Sequence, residues 1–376
     1  MGYLITRAGE RMHRYDWVLL GSALGLSALG LISLFSTTQP ELSQFFKQIA
    51  WVVFGIILFI IFSSLDYRLF RAHFSPVVFL YGLAIAGLLL VAFFSSPVRG
   101  AQSWLALGPI NIEPVEPLKV ILILILAKYF SMRHVEMYRI KHIVVSGIYI
   151  LIPSALVLLQ PDLGSFLILG LIWAGIIIIS GVKIKHLFAL ALLSALVSVL
   201  AWSFFLADYQ KDRITSFLNP EYDPYGSGYN SIQSVVAVGS GGFWGKGLQQ
   251  GTQTQLGFLP EAHTDFAYAS IAEELGIIAT IMIIFLFSAL FWRLMKMTHA
   301  VGDNFARMYL AGLIIMIASQ SILNIAMALG LLPIAGLPLP FVSYGGSSIM
   351  TLFIALGIAQ NIYKNRGIGS VPAFSA

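Results

Sequence analysis

The sequence predicts an all-α integral membrane protein with ten transmembrane helices. A large extracytoplasmic loop separates the seventh helix from the eighth, and both termini lie in the cytoplasm. Three observations predict it. Of 376 residues, 58% are apolar and only 10% charged, whereas soluble domains carry about 25% charged residues. Apolar runs recur at about the 20 residues that a helix needs to cross a bilayer. Lys and Arg are concentrated in alternate connections. This composition excludes a soluble globular enzyme and a disordered chain. The sequence contains no cysteine, which excludes disulfides, thiolate catalysis and Cys-ligated metal centres.

The apolar runs fall at 17–36, 49–65, 74–95, 118–132, 143–159, 163–182, 187–207, 271–292, 308–331 and 346–363. They are too long for the strands of a membrane barrel. The first is also too long for a cleaved signal peptide and lacks a small-residue cleavage site. Lys119 and Lys128 interrupt the fourth run, and the charge pattern decides its case. With ten spans and the N-terminus inside, 16 of the 22 Lys and Arg are cytoplasmic, leaving +11 inside and −6 outside. Without the fourth span, Lys183, Lys185, Arg293 and Lys296 would move outside, against the positive-inside rule. The basic inner face, despite a pI near 9.3, reads as topology and contact with anionic lipid rather than as a nucleic-acid site. No linker or internal repeat divides the chain, so residues 1–376 form one polytopic domain.

Two connections are long, about 22 residues at 96–117 and about 63 at 208–270, and both lie outside. Loops of this length are often functional. The first opens on Arg99-Gly-Ala-Gln102-Ser-Trp104 and closes on Glu113-Pro-Val-Glu116-Pro-Leu-Lys119. Glu116 and Lys119 share a helix face. They make either a capped helix with one ion pair or a charge pair at the mouth of a cavity. Asp162, in Gln160-Pro-Asp-Leu-Gly, is either a helix N-cap or a partnered acid at lipid depth.

The long loop carries Lys211, Arg213 and a glycine cluster around Lys246. Gly247 follows Lys246 where a phosphate-binding P-loop needs Ser or Thr. The glycines are instead expected to bring backbone N–H groups close to a ligand or a lipid phosphate. The loop ends in Pro260-Glu261-Ala-His263-Thr264-Asp265-Phe. Asp265 precedes a membrane helix and is either its N-cap or a carboxylate tuned by desolvation into a general base. Gly336-Leu-Pro-Leu-Pro-Phe-Val-Ser343-Tyr-Gly-Gly is an uncharged outer segment. Irregular backbone is tolerated there only if buried in protein or lining a cavity.

These motifs, in this order, closely resemble the SEDS family (shape, elongation, division and sporulation). The resemblance spans nearly the whole chain. Gly245-Lys-Gly followed by Gly251-Thr-Gln-Thr-Gln is similar to its elongation branch rather than its division branch. The resemblance implies a peptidoglycan glycosyltransferase that polymerises lipid II outside the cytoplasmic membrane during cell elongation and rod-shape maintenance. It also implies a class B penicillin-binding protein as the crosslinking partner. The family's essential acid falls on Asp265, the Trp of its Gly-Ala-Gln-x-Trp motif on Trp104, its Pro-x-Glu-x-x-Lys on Glu116 and Lys119, and its Gln-Pro-Asp acid on Asp162. The chain departs from the family at Glu113-Pro-Val-Glu116, where Gln-Pro-Ser-Glu is usual, and at Asn219-Pro220, where Asp-Pro is usual.

The mechanism these residues permit is inverting glycosyl transfer with Asp265 as general base. Outer cations (Arg99, Lys119, Arg213, Lys246) stabilise the departing diphosphate. Gln102, Trp104, Glu116, Asp162, Glu261, His263, Thr264 and Ser343 complete the expected substrate site. Asp265 or Glu116 could hold a divalent cation, although no ligand spacing demands one. Two other readings remain at this stage, a lipid II flippase and a non-catalytic elongation scaffold. The near absence of midplane charge disfavours ion-driven transport.

Overall fold

A computed structural model describes residues 15–95, 103–107, 110–132, 140–206, 208–219, 223, 226 and 228–366. Its helices, in chain order, are α1 (Trp17–Thr37), α2 (Ser43–Ser64), the short α3 (Arg68–Ala72) and α4 (Ser75–Phe94). A hairpin of β1 (Leu105–Leu107) and β2 (Ile110–Ile112) follows, antiparallel, with Leu105 opposite Ile112. Then come α5 (Val115–Ser131), α6 (Ile140–Leu159), α7 (Leu163–Ile179) and α8 (Ile184–Leu200), which ends in a π-turn over Ala201–Phe205. α9 (Asp208–Leu218), α10 (Tyr229–Ser240) and α11 (Thr252–Gln255) lead to α12 (Ala267–Ala300), α13 (Asn304–Ala328) and α14 (Gly346–Lys364).

Among the described residues, eight helices are long and apolar enough to cross a membrane: α1, α2, α4, α6, α8, α12, α13 and α14. The apolar α7 is shorter, at 17 residues. α5 also has 17 residues, and 13 of them are buried. Its position explains why 118–132 reads weakly. A helix enclosed by protein need not be apolar all round, so α5 can carry Lys119 and Lys128, whereas a lipid-facing helix could not. The long connection 208–270 is not a bare loop, because it contains α9, α10 and α11. The 96–117 connection contains a hairpin that the sequence reading did not anticipate.

Burial is reversed relative to a soluble protein. Large apolar side chains face outward, among them Phe79, Phe93, Ile184, Phe188, Ile281 and Phe285. α8 has no buried residue at all. Polar side chains instead lie inside: Gln48, Glu116, Lys119, Glu273, Glu274, Gln320, Asn324, Gln360 and Asn361. Helices in lipid gain no hydrophobic drive from packing on one another, so close backbone approach and internal hydrogen bonds hold the bundle. α14 packs along α2, α12 along α1, and α13 along α5. A Cβ on Gly55 would stand 2.6 Å from the Phe353 ring, and one on Gly312 would stand 2.7 Å from Ile123.

α12 is broken. Gly276 has φ 72 and ψ −169, a conformation open essentially to glycine alone. The glycine-rich segment packs into the break. Lys246 N donates to the Glu273 carbonyl (3.0 Å), Gly247 N to that of Glu274 (2.9 Å), and Ile277 N to that of Gly242 (3.0 Å). The sequence reading assigned these glycines to a ligand. The N–H groups of residues 246 and 247 serve the interrupted helix instead, because a break inside a membrane protein leaves carbonyls that water cannot reach. A Cβ at Gly276 would meet Gly245 N at 2.3 Å. Gly276→Ala is therefore expected to lower stability by at least about 1–3 kcal/mol from backbone strain alone. Thermal unfolding in detergent would show this, and an unchanged midpoint would contradict it.

Candidate active site

Asp265 lies in a tight turn just before α12. Glu261, with φ 54, starts the turn. Its carbonyl accepts from Thr264 N (3.1 Å) and Phe266 N (3.2 Å), and its carboxylate accepts from the Thr264 hydroxyl at 2.8 Å. Asp265 does not cap α12. The N-cap position is Phe266, with no side-chain cap bond.

Three successive carbonyls of this turn are tied to other elements. Tyr344 N donates to the His263 carbonyl at 2.9 Å. The Ser343 hydroxyl donates to the Thr264 carbonyl at 2.5 Å and accepts from Leu339 N at 2.8 Å. Asn324 Nδ2 donates to the Asp265 carbonyl at 2.8 Å and to the Leu337 carbonyl at 2.6 Å. Gln48 on α2 fixes the other side, donating to the Ser343 carbonyl and accepting from Gly345 N, each at 3.2 Å. The His263 and Tyr344 rings meet edge to face at 6.1 Å.

The Asp265 carboxylate lies beside the Gly336 segment and within electrostatic reach of Glu113. A Cβ on Gly336 would come to 3.7 Å from its Oδ2, and Gly336 itself has φ 67. The Gly336 segment lies against the start of α7, where a Cβ on Gly164 would meet the Ala335 carbonyl at 2.3 Å. That contact carries Asp162 to the same place. Asp162 is the N-cap of α7, accepting from Ser165 N at 2.9 Å. The cap reading is the one the geometry bears, and the charges of Lys119 and Glu116 act on the same carboxylate.

α5 supplies the next wall. Lys119 Nζ donates to Glu116 Oε1 at 2.7 Å, with side-chain exposures of 1% and 4%. It also donates to Gln320 Oε1 at 3.3 Å, and Gln320 Nε2 reaches the Pro338 carbonyl at 3.0 Å. Glu113 N donates to Ser347 Oγ at 3.1 Å at the start of α14. Glu113 and Asp162 are half-buried, densely surrounded by protein while some of their surface still meets solvent. Burial pushes the Glu113 carboxyl well above the usual range. The charges of Glu116, Asp162 and Asp265 push the same way, against Lys119. Burial raises Asp162 as well, opposed by its Ser165 hydrogen bonds and by Lys119. Five charged side chains from four segments thus share one electrostatic site.

The structure brings together Glu116, Lys119, Asp162, Glu261, His263, Thr264, Asp265 and Ser343 from the sequence-predicted set. Two others are placed differently. Lys246 pairs with buried Glu273 at 2.8 Å and with the Thr252 hydroxyl at 2.8 Å. Glu273 also accepts from Gln253 N (2.9 Å), Thr254 N and the Thr254 hydroxyl (both 3.1 Å), so Gly251-Thr-Gln-Thr-Gln wraps this acid. Arg213 on α9 lines a crevice with Ser216, Phe217, Ser231, Pro333 and Ile334, behind the chain that leads into Gly336. Trp104 is 40% exposed ahead of β1. Arg99 and Gln102 lie outside the described residues. Among the described residues, no three or more His, Asp or Glu are arranged to hold a metal ion.

Sequence reasoning missed Gln48, Gln320, Asn324 and Ser347, and it treated Glu113 only as a departure from the family pattern. A signal was present for two of them. Gln320 and Asn324 lie four apart, on one face of an otherwise apolar helix.

The family model described as "Cell cycle protein" for FtsW, RodA and SpoVE matches residues 14–367. The chain belongs to this family. It is 34% identical over 358 residues to "Peptidoglycan glycosyltransferase MrdB" of Escherichia coli K12, covering 95% of each chain. It is also 34% identical to "Stage V sporulation protein E" of Bacillus subtilis, covering 93% of this chain and 97% of that one. Solved chains are similar throughout their length. One, from a study of "Structural coordination of polymerization and crosslinking by a peptidoglycan synthase complex", superposes with TM-score 0.80 at 30% identity, covering 94% of this chain and 98% of that one. The "Rod shape determining protein RodA" of Thermus thermophilus gives TM-score 0.69 at 27% identity, covering 94% and 97%. The protein is a multi-pass, helical member of this membrane family.

Two outcomes follow from the charges. Lys119→Met strands Glu116 in a buried site and is expected to cost about 3–5 kcal/mol. The Glu116→Gln/Lys119→Met double variant should recover most of that, as read by denaturant unfolding. An equal loss in both would show that the pair is not coupled. The second outcome concerns pH. An acid whose pKa is raised in the fold binds its proton more tightly there. Stability is then greatest below the ordinary glutamate range and falls as pH rises through the raised value. Glu113→Gln removes that linkage. Unfolding midpoints of wild type and variant should converge in acid and separate as pH rises, with the variant the more stable. Parallel curves would refute the assignment.

Proposed function

We propose that this protein is a peptidoglycan glycosyltransferase that polymerises lipid II into glycan strands during cell elongation. The observation that carries the reading is the Asp265 turn. Its three carbonyls are immobilised and its carboxylate acts on Glu113, the same group that Glu116, Lys119 and Asp162 act on, in a chain 34% identical to a protein named for this activity. The reaction is inverting. The 4-hydroxyl oxygen of an acceptor GlcNAc bonds to C1 of the donor MurNAc, and the bond from C1 to the diphosphate oxygen breaks. Asp265 takes the hydroxyl proton, and undecaprenyl diphosphate leaves with the bonding electron pair. A base held by its backbone keeps its carboxylate within reach of the incoming hydroxyl.

Lys119 donates to Glu116 and Gln320, and in this reading it sets the shape and charge of the wall. In this reading Arg99 and the substrate's own counter-ions meet the developing diphosphate charge. In this reading ten helices span the cytoplasmic membrane and form one domain, with the site on its outer side. The partner is a class B penicillin-binding protein, in keeping with the synthase complex to which the fold is similar.

The test is lipid II polymerisation by purified protein with its partner's transpeptidase blocked. Asp265→Asn should leave thermal stability near wild type and lower the rate about 10²- to 10⁴-fold, the range for loss of a general base. A variant that polymerises at the wild-type rate would sink the role given to Asp265.

A further inference from the structure

A second polar site lies at the opposite ends of the helices. A cavity of about 550 Å³ opens between the α2–α3 turn, the C-terminus of α5, the N-terminus of α13 and the C-terminus of α14. Its lining includes Tyr67, Arg71, Lys128, Asp303, Phe305 and Arg366. Arg71, Lys128 and Arg366 all fall on the side that the positive-inside rule makes cytoplasmic. Three cations therefore face one acid. Asp303 is already engaged, accepting from Ala306 N as the N-cap of α13 and pairing with Arg71 at 3.4 Å.

The chemistry is that of an oxyanion site. Lys128 is 6% exposed, and among the described residues its ammonium donates one hydrogen bond, to the Arg71 carbonyl. An ammonium has three donors, and a buried one is costly unless it is matched by an acceptor or an anion. Gly302 to Phe305 line the same cavity, so the positive end of the 25-residue α13 opens onto it. The Arg366 guanidinium stacks on Tyr363 at 3.9 Å, which holds it at the rim.

Exposed apolar side chains stand at the same helix ends: Met132 in the lining, 63% exposed, and Leu69 on α3, 56% exposed. Such neighbours suit a phosphate carried by an amphiphile better than a free one. Basic pockets between membrane helices on the cytoplasmic side suit anionic lipid headgroups.

We propose that this cavity binds the phosphate group of an anionic phospholipid from the inner leaflet, clamped by Arg71, Lys128 and Arg366 against the start of α13. The site is separate from the Asp265 cleft and does not depend on the activity proposed for it. A headgroup there would tie the α2–α3 turn to α5, α13 and α14 on the inner side.

Native mass spectrometry of the full-length protein in neutral detergent tests this, with phosphatidylglycerol and phosphatidylcholine added in parallel. Wild type should keep phosphatidylglycerol under activation that strips phosphatidylcholine. Arg71→Gln and Lys128→Met should each weaken retention about fivefold, the effect of one interfacial cation. Arg68→Gln is the control, because it removes the same charge from the same turn but does not line the cavity. Equal retention of the two lipids, or equal retention by all four proteins, overturns the proposal. A loss in Arg68→Gln matching the others also overturns it, since that would mean diffuse attraction. Inorganic phosphate is the last arm. Its displacing phosphatidylglycerol only from proteins with Arg71 and Lys128 intact shows that the phosphate is what the cavity reads. Binding of inorganic phosphate without any preference for phosphatidylglycerol refutes a lipid occupant.

Discussion

The Asp265 turn depends on the satisfaction of its backbone. Irregular chain close to lipid depth must find partners within the protein for every N–H and C=O. Here the carbonyls of residues 263, 264 and 265 go to Tyr344 N, the Ser343 hydroxyl and the Asn324 amide. Gln48, Gln320 and Asn324 then exist to close the account on α2 and α13. The same requirement explains why buried amides sit on helices whose other residues are apolar. It also explains why the carboxylate of Asp265 keeps its position without serving as a helix cap.

Charge in the cleft is arranged around that fixed point. The only described cation in direct ion-pair contact there is Lys119, and Glu116 and Gln320 already hold it. Glu116, Asp162 and Asp265 therefore all act on Glu113 in a poorly solvated space, and its carboxyl is held well above the usual range. A protonated Glu113 has the hydrogen-bonding shape of the glutamine that the family usually carries at this place.

The break at Gly276 shows a similar economy. The first turns of α12 follow directly on the Asp265 turn, and past Gly276 the helix runs on to Ala300. Glu273, Glu274, Lys246 and Gly251-Thr-Gln-Thr-Gln form a polar knot at the junction. Residues that look like a phosphate loop in the sequence thus act as the partner of a helix end. Their glycines permit close contact between two backbones, with Gly245 packed on the Glu274 carbonyl.

Hydropathy is a local property, so the sequence alone established the helical membrane class. Motif order was enough to place Asp265, Asp162, Glu116 and Lys119 among the candidate residues. It could not say that Lys246 belongs to Glu273, that the 208–270 connection holds three helices, or that Glu113 shares a field with Asp265. Those facts rest on contacts between residues far apart in the chain. Lys119 and Gln320, 201 positions apart, carry no local trace of each other. Their pairing is decided by how α5 and α13 pack, and only the folded bundle fixes that.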